Sequence, residues 1–482
     1  MRAARELDRS AVAGGSGARW PRLALAVLPL LLAGCASLSA DGGFQQIRQA
    51  AEQRLGKAVQ RVQSAADQDA VGLRVAELLS KPLSADAAVQ IALLNNRGLQ
   101  ASFQALGIAE AEMVQASRLP NPGFSIGRLQ RGSERETERS LSFNLAHLIA
   151  LPLTRQIEDR RFAAVQREVS MEVFALAAES RKAYYAAVAA EQTARYRRDV
   201  VAAADAGAEL AKRLTQAGNW NKLQQAREHG FFSEAVLNAA RAEAARSVSR
   251  ERLIRLLGLW GAQIAFSLPE RLPDLPGQPQ ERPDIEQFAM SQRLDVQAAK
   301  QQAEATAKGL GLSKITRFVN VLDLGYRNNL SNEAPRQTGF EISFELPLFD
   351  WGDARIAKAE AIYRQSLQRA AQVAVEARSE VREAYLGYRS SYDIAQHYRD
   401  DVVPTAKRIS DENVLRYNGM FISVFELLAD TREQIGVVNA SIEALRDFWM
   451  AQADLDMALI GKPRLSAGTA PTAATGSAGP AH

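Results

Sequence analysis

One cysteine in 482 residues rules out a disulfide within the chain. The four histidines, His147, His229, His397 and His482, stand far apart, and no pair has the spacing of a metal site. Seven methionines and one thiol make no ladder for a soft metal. Gly14-Gly15-Ser16-Gly17 lacks the Lys-Ser/Thr that closes a phosphate loop. Most carboxylates lie among Arg and Lys in helical stretches, the pattern of a solvated face. No catalytic constellation is left, so the chain reads as a non-enzyme with no cofactor and no resident metal. No basic patch interleaved with aromatics is present, which excludes nucleic acid as a partner. The apolar run Leu23–Leu32 has ten residues, and a membrane-crossing helix needs about 20.

That short run belongs to a leader. Arg2, Arg5, Arg9, Arg19 and Arg22 surround it with positive charge, and residues 1–34 read as a secretory signal peptide. The leader ends in Leu32-Ala33-Gly34-Cys35, which resembles the bacterial lipobox, whose cysteine is acylated and becomes the first residue. An ordinary signal peptide cut nearby would instead leave Cys35 as a free thiol. Ala36, rather than Asp, follows the cysteine, and by the bacterial sorting rule this directs a lipoprotein to the outer membrane. Five arginines against Glu6 and Asp8 leave with the leader, so the net charge of +4 falls to about +1. At the other end, residues 463–482 are rich in Ala, Gly, Pro, Ser and Thr and read as a disordered tail.

What the chain does contain, it contains twice. Arg97–Ala101 (RGLQA) returns as Leu294–Ala298 (LDVQA), and Leu141–Leu145 (LSFNL) as Ile342–Leu346 (ISFEL). Arg181–Tyr185 (RKAYY) returns as Arg382–Leu386 (REAYL), and Leu257-Gly258 as Ile460-Gly461. The offsets run 197, 201, 201 and 203, in the same order along the chain. A period this long makes each copy a domain-sized half, since solenoid units run roughly 20–50 residues. The division reads 35–82 as an N-terminal segment, 83–264 as the first repeat, 265–283 as a Pro-rich linker and 284–462 as the second repeat.

Each half reads as helix, two strands, very long helix, turn and long helix. In the first, Asp86 is expected to cap a helix to about Arg118, before Pro120-Asn121-Pro122-Gly123. Strands are expected over Phe124–Gln130 and Ser140–Leu148, around a charged loop. From Leu153 to Ala217 there is no proline and only one glycine, Gly207, so a helix of roughly 60 residues and 90 Å follows. In the second half, a helix over Asp284–Arg317 precedes strands at Phe318–Arg327 and Thr338–Leu346. A helix from Asp353 to Asn418 is then kinked at Pro404. Val169, Val173, Leu176, Ser180, Ala183, Ala187, Ala190 and Ala194 step by four and three, a small-residue stripe suited to close helix packing. Ile435, Val438, Ile442, Leu445 and Trp449 keep the same rhythm.

The strands alternate. Phe340, Ile342, Phe344 and Leu346 must face away from Glu341, Ser343 and Glu345. Leu322, Leu324 and Tyr326 likewise oppose Asp323, Gly325 and Arg327. A soluble antiparallel sheet with one wet face fits this. So does an outer-membrane barrel wall with lipid outside and Asp323, Glu341, Ser343 and Glu345 toward a watery lumen.

In order, Leu83–Asn96 (LSADAAVQIALLNN), Arg118–Gly127 (RLPNPGFSIG), Glu345–Arg355 (ELPLFDWGDAR) and Arg416–Arg432 (RYNGMFISVFELLADTR) resemble the TolC-like outer membrane factors, or outer membrane efflux proteins. The likeness runs from Leu83 to Gly461, and Cys35 is similar to the acylation site of that family's lipoprotein branch. The resemblance implies a mainly α fold with a membrane β-barrel. A homotrimer would form a twelve-stranded barrel in outer-membrane lipid, continued by a long periplasmic α-helical barrel. It further implies two helical tips, at Gly218 and Trp220 and at Gly419 and Phe421, that dock with a periplasmic adaptor protein. An inner-membrane pump of RND or ABC type would supply the energy. Relatives carry an acidic ring past the second tip. Glu426 falls at its first position, while Ala429 takes the second, with Asp430 one step along. The implied function is a passive, gated exit channel for small molecules or metal ions. A conduit for type I protein secretion uses the same duct, and a pore-free periplasmic coiled-coil lipoprotein is the rival of another class.

Overall fold

The computed structural model describes residues 37–316, 321–346 and 348–463. The expected signal peptide, the expected acylation site Cys35 and the expected tail beyond residue 463 lie outside the described residues. The chain divides into two compact units. One holds Ala111–Gln156 with Phe318–Trp351, and the other Ala40–Glu110, Ile157–Arg317 and the residues from Gly352 on.

The larger unit is helical. Two helices, α1 (Phe44–Leu55) and α2 (Ala65–Leu79), precede the first half. There, α3 (Ala85–Asn95) and α4 (Arg97–Ala116) replace the single helix expected from Asp86. Ser84 is the cap: its extended backbone lets the hydroxyl accept from the N–H of Ala87. Asp86 sits in the first turn instead, where its charge suits the helix dipole, and it pairs with Lys57 at 3.0 Å. The helix breaks at Asn96, which is extended at φ −68° and ψ 118°. Long helices α5 (Leu145–Gln216) and α6 (Lys222–Leu257) complete the half.

The second half runs α7 (Ile285–Gln292), α8 (Leu294–Ile315), α9 (Asp353–His397), α10 (Val403–Asn418) and α11 (Val424–Ala458). Its first helix also breaks, at Arg293, with nearly the same backbone as Asn96. Both breaks have one cause, which lies at the end of a distant helix. Asn95 and Asn96 donate to the carbonyls of Gly258 (2.7 Å) and Leu256 (2.9 Å), at the end of α6. Arg293 donates to Ala458 (3.3 Å), at the end of α11, and the N–H of Leu294 to Ile460 (2.8 Å). Only glycine fits at Gly258: φ is +67°, and a Cβ would lie 2.7 Å from the carbonyl oxygen of Asn95. Between α9 and α10 a π-helical turn, Tyr398–Val402, takes the strain expected at Pro404. Proline has no N–H for the preceding turn, so the ladder slips there rather than bending at the proline itself.

Most of the predicted small-residue stripe is buried: Val169, Val173, Ser180, Ala183, Ala187 and Ala194 are shielded from solvent, while Leu176 and Ala190 are half-buried. Ala183 and Ala187 pack with Val75, Ala88, Leu253, Leu257 and Ile442, and Tyr388, Tyr392 and Phe448 form a second cluster with Ala384, Ala444 and Leu275. Leu275 belongs to the proline-rich connector, which has no helix or strand from Ala265 to Asp284. Its carbonyls are satisfied by side chains: Trp449 donates to Pro273 (3.0 Å) and Tyr392 to Gly277 (3.0 Å).

The smaller unit is one antiparallel sheet. β1 (Gly123–Arg131), β2 (Glu134–Asn144), β3 (Leu322–Ser331) and β4 (Gln337–Phe344) lie in that order, which leaves β1 and β4 as its edges. The charged segment expected to be a loop is strand: only Gly132 and Ser133 turn, with Gly132 at φ +59°. The expected strand end at Leu145–Leu148 is helix, because Asn144 closes β2 and accepts from the N–H of His147 (2.7 Å). Glu345, expected in the last strand, lies just past β4. Among the described residues no helix is long and apolar enough to cross a membrane.

Candidate functional site

The register of the sheet sorts its side chains into two faces. Ser125 and Gly127 on β1 oppose Ser140 and Glu138 on β2, and Ser140 and Asn144 oppose Arg327 and Asp323 on β3. Asp323 and Gly325 in turn oppose Ser343 and Glu341 on β4. One face therefore carries Asp323, Glu341 and Ser343 together with Glu134, Glu136 and Glu138. These three glutamates were hidden within the supposed loop, although their spacing of two already held the signal. Arg327 bonds Glu341 at 2.6 Å on this face, and Asn329 donates to Glu136 at 3.1 Å. The opposite face begins with Phe124, Ile126, Leu141, Phe143, Leu324, Tyr326, Phe340, Ile342 and Phe344, and it has no carboxylate on any strand. Phe340 is 82% exposed and Ile342 64%, a degree of apolar exposure that calls for a nonaqueous neighbour.

The two helical tips in the other unit are built differently. In the first, Gly218 takes the left-handed position at φ +78°, and the N–H groups of Asn219 and Trp220 donate to Leu214. Asn221 then opens α6 with a reciprocal cap to Gln224. In the second tip, Gly419 is right-handed and Met420 takes the left-handed position at φ +62°. Gly419 is needed for another reason: the Phe421 ring lies over it, 2.8 Å from where a Cβ would stand. Met420 and Phe421 are 93% and 84% exposed, whereas Trp220 is half-buried. A left-handed non-glycine costs about 1–2 kcal/mol. Met420→Gly is thus expected to stabilise the chain by about 1 kcal/mol, measured by denaturant unfolding of the detergent-solubilised protein.

Glu426 and Asp430 lie on α11 just beyond this tip. Glu426 is exposed and completes a capping box: the N–H of Ser423 donates to its carboxylate (3.2 Å), and the Ser423 hydroxyl accepts from its N–H (3.4 Å). Asp430 is half-buried and accepts a hydrogen bond from the side chain of Asn413 on α10. Neighbouring α6 contributes Glu228, 3% exposed, which bonds Arg432 at 2.6 Å. The Arg432 guanidinium also lies 4.4 Å from the centroid of the Phe231 ring. Sequence reading missed Glu228, because its partner is 204 residues away and nothing local announces the pair. Among the described residues no group of three or more His, Cys, Asp or Glu could hold a metal ion.

A four-stranded sheet with one apolar face stands in a chain whose other described elements are mostly long helices, and the comparisons show which known folds this resembles. The family described as outer membrane efflux protein matches residues 280–418. The Campylobacter jejuni CmeC outer membrane channel is similar over 78% of this chain and 85% of its own, at 15% identity and a TM-score of 0.68. The open Neisseria gonorrhoeae MtrE outer membrane channel is similar over 78% and 88%, at 17% identity and a TM-score of 0.65. Cobalt-zinc-cadmium resistance protein CzcC of Cupriavidus metallidurans is 22% identical over 288 residues, or 58% of this chain. That match spans 66% of the relative's own length, just under two thirds. The family match is confined to residues 280–418, and the solved channels share this chain's fold.

Proposed function

We propose that the chain is the outer-membrane channel of a tripartite efflux system, a passive gated conduit that exports small molecules or metal ions across the periplasm and outer membrane. The observation that carries this reading is the segregated sheet, with apolar side chains on one face, carboxylates on the other and two unpaired edges. An unpaired strand edge seeks a partner. In a homotrimer, β4 of one copy would pair with β1 of the next, closing a twelve-stranded barrel with Asp323, Glu341 and Ser343 toward water. The two repeats of long helices would continue it as a periplasmic barrel, and Cys35 would carry the lipid anchor. A pore-free scaffold has no use for such a sheet. The tips at Gly218 and Trp220 and at Gly419 and Phe421 would meet a periplasmic adaptor, which links the channel to an inner-membrane pump of RND or ABC type. A strained, exposed Met420 suits that contact, since strain persists where function needs the side chain. The similarity to CzcC, a metal resistance protein, favours metal-ion cargo.

Planar-bilayer recording tests the pore: discrete conductance is expected from the purified chain, and silence under all voltages would remove the reading. A threefold ring of Glu426 would favour cations. Glu426→Gln isolates that charge, because glutamine also completes a capping box. Cation preference is expected to fall with the fold intact; an unaltered reversal potential would retire the ring.

A further inference from the structure

The apolar face does not stay apolar to the hairpin ends. Past Ile126, Leu141, Tyr326 and Phe340 its next positions are Arg128, Arg139, Asn328 and Thr338, and Arg135 follows Arg139 after Thr137. The border is level across β2, β3 and β4, where Arg139 pairs with Asn328 and Asn328 with Thr338; on β1 Ile126 sits beside Arg139, so the border falls one position further out, at Arg128. Tyr326 and Phe340, centroids 5.5 Å apart, sit along it like the aromatic belt of a barrel at a headgroup boundary. Leu330 is the single apolar strand residue of this face beyond it.

Arg128 lies opposite Thr137, and so diagonally between Arg135 and Arg139, roughly 7–8 Å from each along the sheet. All three arginines are exposed, and among the described residues none takes part in an ion pair. Glu134, Glu136 and Glu138 alternate with them in sequence but point to the other face. Arg336 reaches the same border, donating to Asn328 at 3.2 Å. Like charges set side by side on a sheet repel, and among the described residues no carboxylate pairs with them. An anion from outside does. Guanidinium forks match phosphate oxygens two by two, and the long stems can lie along acyl chains while the heads reach the interface.

We infer that Arg128, Arg135 and Arg139, with Arg336 at their rim, form a binding surface for the phosphate groups of membrane lipid headgroups. This rests on the reading that the sheet spans the outer membrane, with the hairpin ends outward. The surface is a ring in the proposed trimer, three arginines per copy, at the level where the apolar band stops. It would fix the depth of the barrel and select phosphorylated lipid as its annulus.

The test uses the full chain in detergent. It is titrated with diphosphorylated lipid A, with phosphatidylcholine and with inorganic phosphate, reading bound lipid by native mass spectrometry and thermal unfolding in parallel. Lipid A is expected to bind at least roughly tenfold more tightly than phosphatidylcholine, with inorganic phosphate inert at the same concentration. The variant R128Q/R135Q/R139Q is expected to lose that preference, while Arg131→Gln, on the carboxylate face, keeps it. Equal binding of the two lipids by the unaltered chain overturns the proposal, as does a triple variant that still prefers lipid A or an equal response to inorganic phosphate. Should the triple variant fail to fold, Arg139→Gln alone is expected to lose several-fold, and an undiminished preference there is equally decisive. Conductance of the unaltered chain separates the two layers. A silent protein takes the barrel reading down with this one, whereas a conducting protein without lipid preference removes only the arginine surface.

Discussion

Arg293→Met is expected to destabilise the chain by about 3–5 kcal/mol, the largest single effect we foresee. The Arg293 side chain is 1% exposed and holds two carboxylates at 2.6 Å, Asp295 on α8 and Glu380 on α9. It also donates to the carbonyls of Ala377 (3.4 Å) and Ala458 (3.3 Å), so one guanidinium ties α8, α9 and the end of α11 together. Methionine fills much of the volume but leaves two shielded carboxylates facing each other. Lys462, 3.7 Å from Glu380, relieves only part of this. Its hydrogen bond to Glu376 and the charge of Glu380 hold that ammonium above its ordinary pKa. The measurement is urea unfolding followed by helical circular dichroism. Adding Glu380→Gln to Arg293→Met should recover part of the loss, since the penalty is an uncompensated charge and not a cavity. A loss under about 1 kcal/mol, or no recovery, would show the cluster to be solvated in the working protein.

Lys182→Met is the second. Its ammonium lies 2.8 Å from Asp454 on α11 and 2.8 Å from Glu179 one turn earlier on α5, with side-chain exposures of 6%, 10% and 14%. Arg252 on α6 reaches Glu179 at 3.3 Å, which brings a third helix in. Removing the lysine takes its cation away from Asp454 and Glu179, and a loss of about 3 kcal/mol is expected in the same unfolding experiment. Lys182→Met with Asp454→Leu should come close to the unaltered stability, because a buried pair replaced whole by apolar residues is often neutral. Additive losses in the double variant would refute that account.

Much of this was legible beforehand. The strands announced themselves by alternation, and the stripe from Val169 to Ala194 named its own buried face by its step of four and three. The tips were legible from Gly218 and Gly419. What the sequence did not announce is that Met420, and not Gly419, takes the left-handed position of the second turn. The breaks at Asn96 and Arg293 were not legible: both residues leave the helix to serve carbonyls more than 150 positions away. Glu134, Glu136 and Glu138 were misread because a charged run just after a glycine looks like a loop until its pairing partners are known.

The amino-acid order alone determined the kinds of element, the two-faced strands and the small-residue helix faces, since these follow from periods of 2 and 3.6 that any local stretch displays. Only the tertiary structure decided where the charges go. Register placed all the strand carboxylates on one side and Arg128, Arg135 and Arg139 on the other, and packing drove Arg293 and Lys182 inside with their partners. A side chain's partner across a sheet or between helices depends on which distant segment arrives there, and no local pattern carries that information.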